Sequence, residues 1–386
     1  MVAAAYIARL LCLALLTWSG DASQKHAHID AHEPANDAEV VAHEYESIYL
    51  VFGALLVGTA VIHLSASVPM VRALPVTVVF FVIGIVLSLL AEDGVLDNCG
   101  IVLRSYSSWA AIDPHLLLFT FLPPLLFGDA MSIDTHVARR TSAQCLILAG
   151  PGVIIGAFAT AFFLQYVLPY GWDFATSLMV GSILAATDPV AVVSLLKDLG
   201  ASPVLTMQIQ GESLLNDGTA MVLFTVAYGM VEGTDCGAGC IVGYLLKSTL
   251  GASALGALIG WLFYLWIRSA SNSLNHTSSI IQISLTLACA YWSFILAEGV
   301  FHISGVLSTV AAALVLARKM WPVLVERKAV LEFWHVLETF GNTLVFCLAG
   351  MLTGRVIHRH AIADCLWVFV VYLAITVIRF AMLLLM

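Results

Sequence analysis

One acidic side chain lies at a predicted break in a helix. Asp188 precedes Pro189 in the apolar stretch 174–197, and Thr187 comes directly before it. Proline removes a backbone donor and pushes the preceding residue towards extended backbone. A threonine hydroxyl, released carbonyls and a carboxylate therefore collect at one point, and such broken helices form ion sites in secondary transporters. A simple proline kink beside a solvated acid is the structural alternative.

Two further acids lie five residues apart in the next apolar stretch. On a helix of 3.6 residues per turn, Glu212 and Asp217 point about 140° apart, so they cannot face the same way. Asp217 lies between Asn216 and the small Gly218, which leave space for water or an ion. We therefore expect Asp217 to face an ion path and Glu212 to face packed protein, unless both lie at a helix end near water.

A buried Glu212 requires a partner, because an unpaired charge away from water is protonated or very costly. Arg379 is the only basic residue that lies clearly in the middle of another apolar stretch. The sequence therefore predicts a Glu212–Arg379 ion pair with a structural role.

The composition indicates that these charges lie in a membrane. The chain has 386 residues, of which 61% are hydrophobic and 11% charged, with a mean hydropathy of +0.97. Soluble domains of this length carry about 25% charged residues. In lipid the backbone must satisfy its own hydrogen bonds, and apolar runs of this length without strand-like alternation favour helices over a barrel. We find no basic patch that suggests a nucleic-acid partner.

The apolar runs predict an all-α polytopic membrane protein with about 11 transmembrane helices. Their approximate ranges are 48–66, 74–91, 111–128, 143–168, 174–197, 204–231, 240–267, 279–299, 301–317, 333–353 and 362–386.

The two ends of the sequence carry separate expectations. Residues 1–20 resemble a cleavable signal peptide, with an uncleaved first span as the alternative, and residues 21–47 form an acidic, histidine-rich stretch expected to be an extracellular tail. Basic residues in the short loops place the tail outside, in agreement with a signal peptide. Residues 48–386 are then the transmembrane domain, and because Met386 lies inside an apolar run we expect it to be incomplete at its C-terminal end.

Two other places in the sequence combine charged residues with an expected helix end or helix break. Glu298 and His302 flank a short junction between spans, where an outer interface is favoured over a proton relay. Pro123 and Pro124 are expected to break the third span near its inner end, with Asp129 after the break in contact with cytoplasmic water.

Several motifs in this order resemble the cation/proton antiporter superfamily, specifically the sodium/proton exchangers. They are Phe-Leu-Pro-Pro-Leu-Leu-Phe at 121–127, Thr-Asp-Pro-Val-Ala-Val at 187–192, Gly-Glu-Ser-Leu-Leu-Asn-Asp at 211–217, His-Ile-Ser-Gly-Val-Leu at 302–307 and Leu-Val-Phe-Cys-Leu-Ala-Gly at 344–350. The stretches at 198–202 and 217–220 look most like the branch that holds the plant salt-tolerance and sperm-type exchangers.

The resemblance implies a fold of two inverted repeats with broken, crossing helices and a dimerisation domain, here truncated before the last two spans. It implies a homodimer in the plasma membrane that exchanges sodium, or in some members lithium or potassium, for protons in pH and sodium homeostasis. It also matches Glu212 and Arg379 to a buried glutamate and its arginine partner in the family.

The resemblance also assigns roles at the ion site. Asp217 corresponds to the carboxylate that binds a sodium ion or a proton in turn, and Asn216 marks the electroneutral type. Thr187 and Asp188 correspond to the helix crossing, with Asp188 a second candidate sodium ligand. No covalent chemistry, cofactor or catalytic residue is expected.

Three other functions compete with ion exchange. A cation channel requires a continuous pore that binds ions weakly. An intramembrane serine hydrolase is disfavoured because Ser213 lies in Gly-x-Ser-x-Leu instead of Gly-x-Ser-x-Gly and nothing brings His302 near it. A truncated chain could also act as a membrane scaffold that transports nothing.

Overall fold

The computed structural model describes most of the transmembrane region. The described residues are 37–67, 75–93, 100–187, 189, 192–193, 196, 199–233, 238–271, 277–359 and 362–385. The predicted signal peptide and the first part of the predicted tail lie outside this set. Within it, every regular element is a helix.

Thirteen α-helices and two π-helical turns make up the described part of the chain. They are α1 (Asp37–Ser67), α2 (Val76–Glu92), α3 (Gly100–Ala110), α4 (Pro114–Ser132), α5 (Thr135–Ile147), the π-turn Leu148–Gly152, α6 (Val153–Val167), α7 (Phe174–Ala185), α8 (Pro203–Val231), α9 (Ala238–Ser269), α10 (Thr277–Ile295), the π-turn Leu296–Val300, α11 (Gly305–Lys319), α12 (Arg327–Arg359) and α13 (Ile362–Leu385).

The helices agree with the predicted apolar runs to within a few residues at most ends. Seven helical stretches of the described chain are long and apolar enough to cross a membrane, and three apolar helices are shorter. The first helix differs, because it begins at Asp37, inside the stretch assigned to the tail. The helix α3 was not predicted at all.

The predicted break at Pro123 and Pro124 is wrong, because α4 continues through both prolines to Ser132. A proline at position 124 cannot donate to the carbonyl of Thr120, four residues earlier. The hydroxyl of Tyr291 on α10 donates to that carbonyl instead, over 2.8 Å. The helix therefore survives because a neighbouring helix replaces one of the lost hydrogen bonds.

The chain forms two compact units. Of the described residues, the larger unit contains those from 115 to 339 and from 367 to 385, and the smaller contains those from 37 to 114 and from 340 to 366. A large cluster of buried side chains from α4 and α8 to α12 lies in the larger unit. Two aromatic pairs lie within it: Phe127 packs on Trp334 with ring centroids 4.9 Å apart, and Phe294 meets Phe119 edge-on at 5.3 Å.

Two glycines allow α9 to approach α11 closely in the larger unit. Gly256 and Gly260 lie one turn apart and face the backbone of Ser308 and Ala312. A Cβ atom at Gly260 would lie 2.6 Å from the Ala312 oxygen. Packing without side chains at such positions is how helices associate in lipid, where the hydrophobic effect does not drive them together.

The smaller unit uses the same device between α2 and the second half of α12. Gly84 and Gly350 lie so close together that a Cβ on either would collide with the opposite backbone. A polar contact links Ser88 Oγ to the Tyr106 hydroxyl of α3 over 2.9 Å. The unit therefore brings α2, α3 and α12 together through small and polar side chains.

We predict that Gly260→Ala destabilises the protein and that Gly243→Ala, on the same helix, does not. The added methyl group at position 260 meets the α11 backbone, and overpacking of this kind costs about 1–3 kcal/mol. Position 243 has open space around its Cα, and alanine favours helix there. The melting temperatures of the purified variants, followed by tryptophan fluorescence, should fall only for Gly260→Ala; equal values would contradict the packing argument.

Candidate functional site

A helix end inside the apolar region begins the candidate site. The helix α7 starts after Asp173, whose side chain accepts from the N–H of Thr176 over 3.1 Å, and it ends at Ala185. Ala186 then adopts extended backbone, with φ −67° and ψ 138°. Carbonyls at a helix end lack helical N–H partners, so they need other donors. Asp188, the acid predicted at this break, lies outside the described residues.

Two side chains of α8 supply those donors. Asn216 Nδ2 donates to the carbonyl of Ala185 over 3.2 Å, and Ser213 Oγ donates to the carbonyl of Thr187. Residues three positions apart lie on the same face of a helix, so α8 presents both groups together. This face of α8 closes the open end of α7.

An ion pair lies next to the same helix end. Arg379 Nη2 of α13 is 3.1 Å from Glu212 Oε1 of α8, and the two side chains are 31% and 16% exposed. The structure thus brings together the two charges that were paired from the sequence. Each neutralises the other in an environment where one charge alone would be costly.

The hydroxyl of Thr187 connects the ion pair to the helix end. Thr187 Oγ1 accepts from Arg379 Nη2 over 2.8 Å and from Asn216 Nδ2 over 3.1 Å. A hydroxyl oxygen has two lone pairs, and both are used here. In this arrangement Thr187 Oγ1 cannot also bind a cation, so the geometry favours a positioning role for Thr187 at the ion site.

The amide of Asn216 is held with its oxygen unpaired. Its nitrogen makes both donor contacts described above, and the residue is only 1% exposed. Among the described residues, Asn216 Oδ1 has no hydrogen-bond partner. A buried amide oxygen of this kind is a candidate ligand for a cation or a water molecule.

A small cavity adjoins the ion pair. It has a volume of about 30 Å³ and is lined by Glu212, Asn216 and Arg379 together with apolar side chains of α6, α7 and α13. The π-turn Leu148–Gly152, which contains Pro151, borders it. The volume is enough for a water molecule, and the polar lining offers it partners.

Asp217 lies on a different side of α8 from this network. It is half-buried and follows Asn216, about 100° further round the helix. The next residue, Gly218, faces Leu307 of α11 so closely that a Cβ there would collide with the leucine side chain. Asp217 is thus separated from the Glu212–Arg379 pair, as the spacing of the two acids predicts.

The donor set indicates what the site can bind. Among the described residues, no group of three His, Cys, Asp or Glu side chains is arranged to hold a metal ion. The oxygens on this part of α8 and at the end of α7 are carboxylate, amide and carbonyl oxygens, which are the kinds of ligand that hard cations take in transporters. Asp217 lies outside the Glu212–Arg379 pair.

Sequence reasoning missed the role of Ser213 and the link through Thr187. Ser213 lies three residues before Asn216, and this spacing on a polar helix face could have identified the pair. Nothing in the sequence shows that Arg379 reaches Thr187 as well as Glu212, because that contact depends on the path of α13.

Comparison with known proteins gives consistent relatives. A sequence profile described as sodium/hydrogen exchanger, transmembrane, matches residues 52–386. The chain is 36% identical over 304 residues to sodium/hydrogen exchanger 8 of Arabidopsis thaliana, covering 78% of this chain and 39% of the relative. It is 35% identical over 328 residues to sodium/hydrogen exchanger 7 of the same plant, covering 84% and 28%. The chain therefore spans well under half the length of these relatives.

A solved structure shares the fold. The sodium proton antiporter MjNhaP1 from Methanocaldococcus jannaschii superimposes with a TM-score of 0.63 at 16% sequence identity. The match covers 80% of this chain and 71% of that protein. At this identity the comparison shows a common fold and nothing finer.

We predict that Arg379→Gln destabilises the protein more than the double variant Glu212→Gln/Arg379→Gln. The single change leaves a partly buried carboxylate without its partner, which costs about 3 kcal/mol in comparable pairs, whereas the double change leaves two amides that can bond to each other. Melting temperatures in detergent measure the difference.

Lys328→Gln is the matched control, because Lys328 pairs with Glu332 over 3.5 Å and the two side chains are 86% and 66% exposed. Exposed pairs contribute about 0–1 kcal/mol, so this variant should melt close to the unmodified protein. A double variant no more stable than Arg379→Gln would contradict the structural role of the pair.

Proposed function

Because this chain belongs to the sodium/hydrogen exchanger family, we propose that it is the transport core of an antiporter that exchanges sodium ions for protons across a membrane. The observation that carries the proposal is the arrangement on α8. Glu212 is paired with Arg379 over 3.1 Å, and Asp217, five residues later, is half-buried on another face of the same helix, which separates the structural acid from the acid proposed to bind the two cargoes in turn.

The mechanism is competition for the Asp217 carboxylate. A carboxylate can hold a proton or a dehydrated sodium ion, but not both, so binding of one releases the other. Exposure of the site to one side of the membrane and then the other converts this competition into exchange. No covalent step is involved.

Other oxygens complete the proposed sodium site. Asn216 Oδ1 is buried and without a partner among the described residues, which makes it a candidate ligand beside Asp217. Asp188 is a second candidate, on the sequence argument alone. Thr187 holds Asn216 and Arg379 in place through its hydroxyl oxygen.

The pairing of Arg379 also has an electrostatic role in this proposal. An unpaired guanidinium in an apolar region would repel a sodium ion over a long range, because charges are weakly screened there. Its contact with Glu212 removes most of that field. The site can then attract a cation through Asp217.

Finer properties follow from the resemblance and remain part of the proposal. One sodium ion moves for one proton, lithium or potassium can replace sodium, and the complete protein is a homodimer in the plasma membrane that serves pH and sodium homeostasis. Asn216 supports the electroneutral stoichiometry, since a second acid at this position would add a charge to the site.

We predict that Asp217→Asn abolishes sodium uptake by the complete protein reconstituted in lipid vesicles. The amide cannot release or accept the exchanged proton, so uptake of radioactive sodium driven by a pH gradient should fall to the rate of protein-free vesicles. Asp134→Asn is the matched control, because Asp134 caps α5 by accepting from the N–H of His136 and asparagine caps equally well. It should retain uptake.

The other outcomes separate the competing functions. Equal uptake by the unmodified protein and Asp217→Asn would move the exchange site elsewhere. Sodium currents across a planar bilayer, without coupled proton movement, would indicate a channel. A folded protein with neither activity would indicate a membrane scaffold.

We predict that an imposed membrane potential does not change the initial rate of sodium uptake. One-for-one exchange moves no net charge, whereas a cycle that moves one elementary charge would gain or lose about 2.3 kcal/mol per 100 mV. Gradients of the membrane-permeant anion thiocyanate set the potential in potassium-free vesicles while the pH gradient is held constant. A rate that increases with an inside-negative potential would contradict electroneutral exchange.

A further inference from the structure

The junction between α10 and α11 is built around one carboxylate. After the π-turn Leu296–Val300 the chain reverses at His302, which has a positive φ of 51°, and α11 begins at Gly305. Glu298 Oε2 accepts from the N–H of Gly305 over 2.8 Å. Glu298 is half-buried in this position.

Gly305 is closely fitted to this contact. A Cβ atom at this position would lie 3.1 Å from Glu298 Oε2 and 2.9 Å from the ring of Phe294. A negative charge at a helix N-terminus is also favoured by the aligned backbone N–H groups. The carboxylate therefore caps α11 from the preceding turn.

Two serines hold the same turn. Ser304 Oγ accepts from the N–H of Leu307 over 3.3 Å, and Ser248 Oγ of α9 accepts from the N–H of Ser304 over 3.1 Å. Together with Glu298, these groups accept from three backbone N–H groups at the start of α11, those of Ser304, Gly305 and Leu307. The first turn of α11 is thus fixed by side chains from three segments.

That first turn packs against the helix that carries Asp217. Leu307 lies directly over Gly218, in the space that a Cβ at position 218 would occupy. Leu307 also belongs to a buried cluster that contains Val222 of α8, with Leu215 packed against it. The position of Leu307 therefore determines the surroundings of the turn of α8 on which Asp217 lies.

We propose that Glu298 is a positioning residue for ion binding, which acts by capping α11 so that Leu307 holds the Asp217 turn of α8. This inference rests on the proposed function of Asp217. Ion sites require ligands placed to within about 0.5 Å, and loss of the cap would loosen the leucine that supports one of them. As a positioning residue, Glu298 does not itself contact the transported ion.

Proton relay is the alternative role for Glu298, and the groups near its carboxylate show which side chains would take part. His302 and His115 lie within electrostatic range of its carboxylate, and the hydroxyl of Tyr244 is also close enough to interact. If these groups relayed protons, the charge of Glu298 would be essential. If Glu298 only positions α11, an uncharged acceptor should replace it.

The test compares sodium dependence of uptake in the complete protein in vesicles. Glu298→Ala should raise the half-saturating sodium concentration about tenfold, the size expected for loss of a hydrogen bond to a charged group, with the maximal rate per folded molecule little changed. Glu298→Gln keeps an acceptor oxygen for Gly305 and should remain within about threefold of the unmodified protein. Leu307→Ala should reproduce the Glu298→Ala effect, and the double variant should be no worse than either.

Leu316→Ala is the matched control, because Leu316 is a fully buried leucine of α11 in the other packed cluster. It should lower the melting temperature without changing the sodium dependence. The inference is overturned if Glu298→Gln is as impaired as Glu298→Ala, or if Glu298→Ala lowers only the amount of folded protein and the maximal rate.

A pair of compensating substitutions tests the contact between Gly218 and Leu307 independently of transport. Gly218→Ala should collide with Leu307 and lower the melting temperature, and adding Leu307→Ala should restore part of the loss. Absence of uptake in the unmodified protein would overturn the proposed function, and the melting temperatures would still decide whether the contact exists. Failure of Leu307→Ala to relieve Gly218→Ala would overturn the inference whatever the uptake shows.

Discussion

A carbonyl without a hydrogen-bond donor costs several kcal/mol in lipid, and the end of α7 at Ala185 exposes such groups in the middle of an apolar region. Side chains of the neighbouring helix α8 supply the donors. Asn216 and Ser213 do so, which fixes the rotation of α8 about its axis. Once that rotation is set, the directions of Glu212 and Asp217 follow from helical geometry. The different directions of the two acids are thus a consequence of satisfying the hydrogen bonds of a broken helix.

The charges are organised around the same break. Arg379 reaches Thr187 as well as Glu212, so the guanidinium is bonded both to a charge on α8 and to the end of α7. One side chain of α13 thereby links three segments that are distant in sequence. A hydrophobic pair could hold two helices together equally well at a lower desolvation cost. It could not also donate to Thr187, which is what the Arg379 guanidinium does here. Through Thr187, the pair also orients the amide of Asn216.

Much of this could be predicted from the sequence because charge is scarce in the spans. A buried Glu212 needs a cation, and Arg379 was the only one available in the middle of another span. The interruption before Pro189 followed from backbone chemistry in the same way. The error at Pro124 has the opposite origin, since the donor that preserves α4 is the hydroxyl of Tyr291, 167 positions later in the chain, and no local rule identifies it. The positioning role of Thr187 could not be predicted either. The residue type shows that a hydroxyl oxygen is present, but not that two donors already bond to it.

Close packing of helices at glycines also restricts the position of the site, and motifs of polar residues do not reveal this restriction. Helices in lipid gain little from the hydrophobic effect on association, so the places where backbones approach through glycine contribute a large share of specificity. Gly218 is one of these places, and it directly follows the acid proposed to bind the ion. The absence of a side chain there admits Leu307, so the position of Asp217 depends on α11 and on whatever fixes the start of α11. The sequence suggests that Gly218 leaves empty space beside Asp217, but in the folded protein the side chain of Leu307 fills that space. The precision with which Asp217 is placed therefore depends on how firmly Leu307 is held.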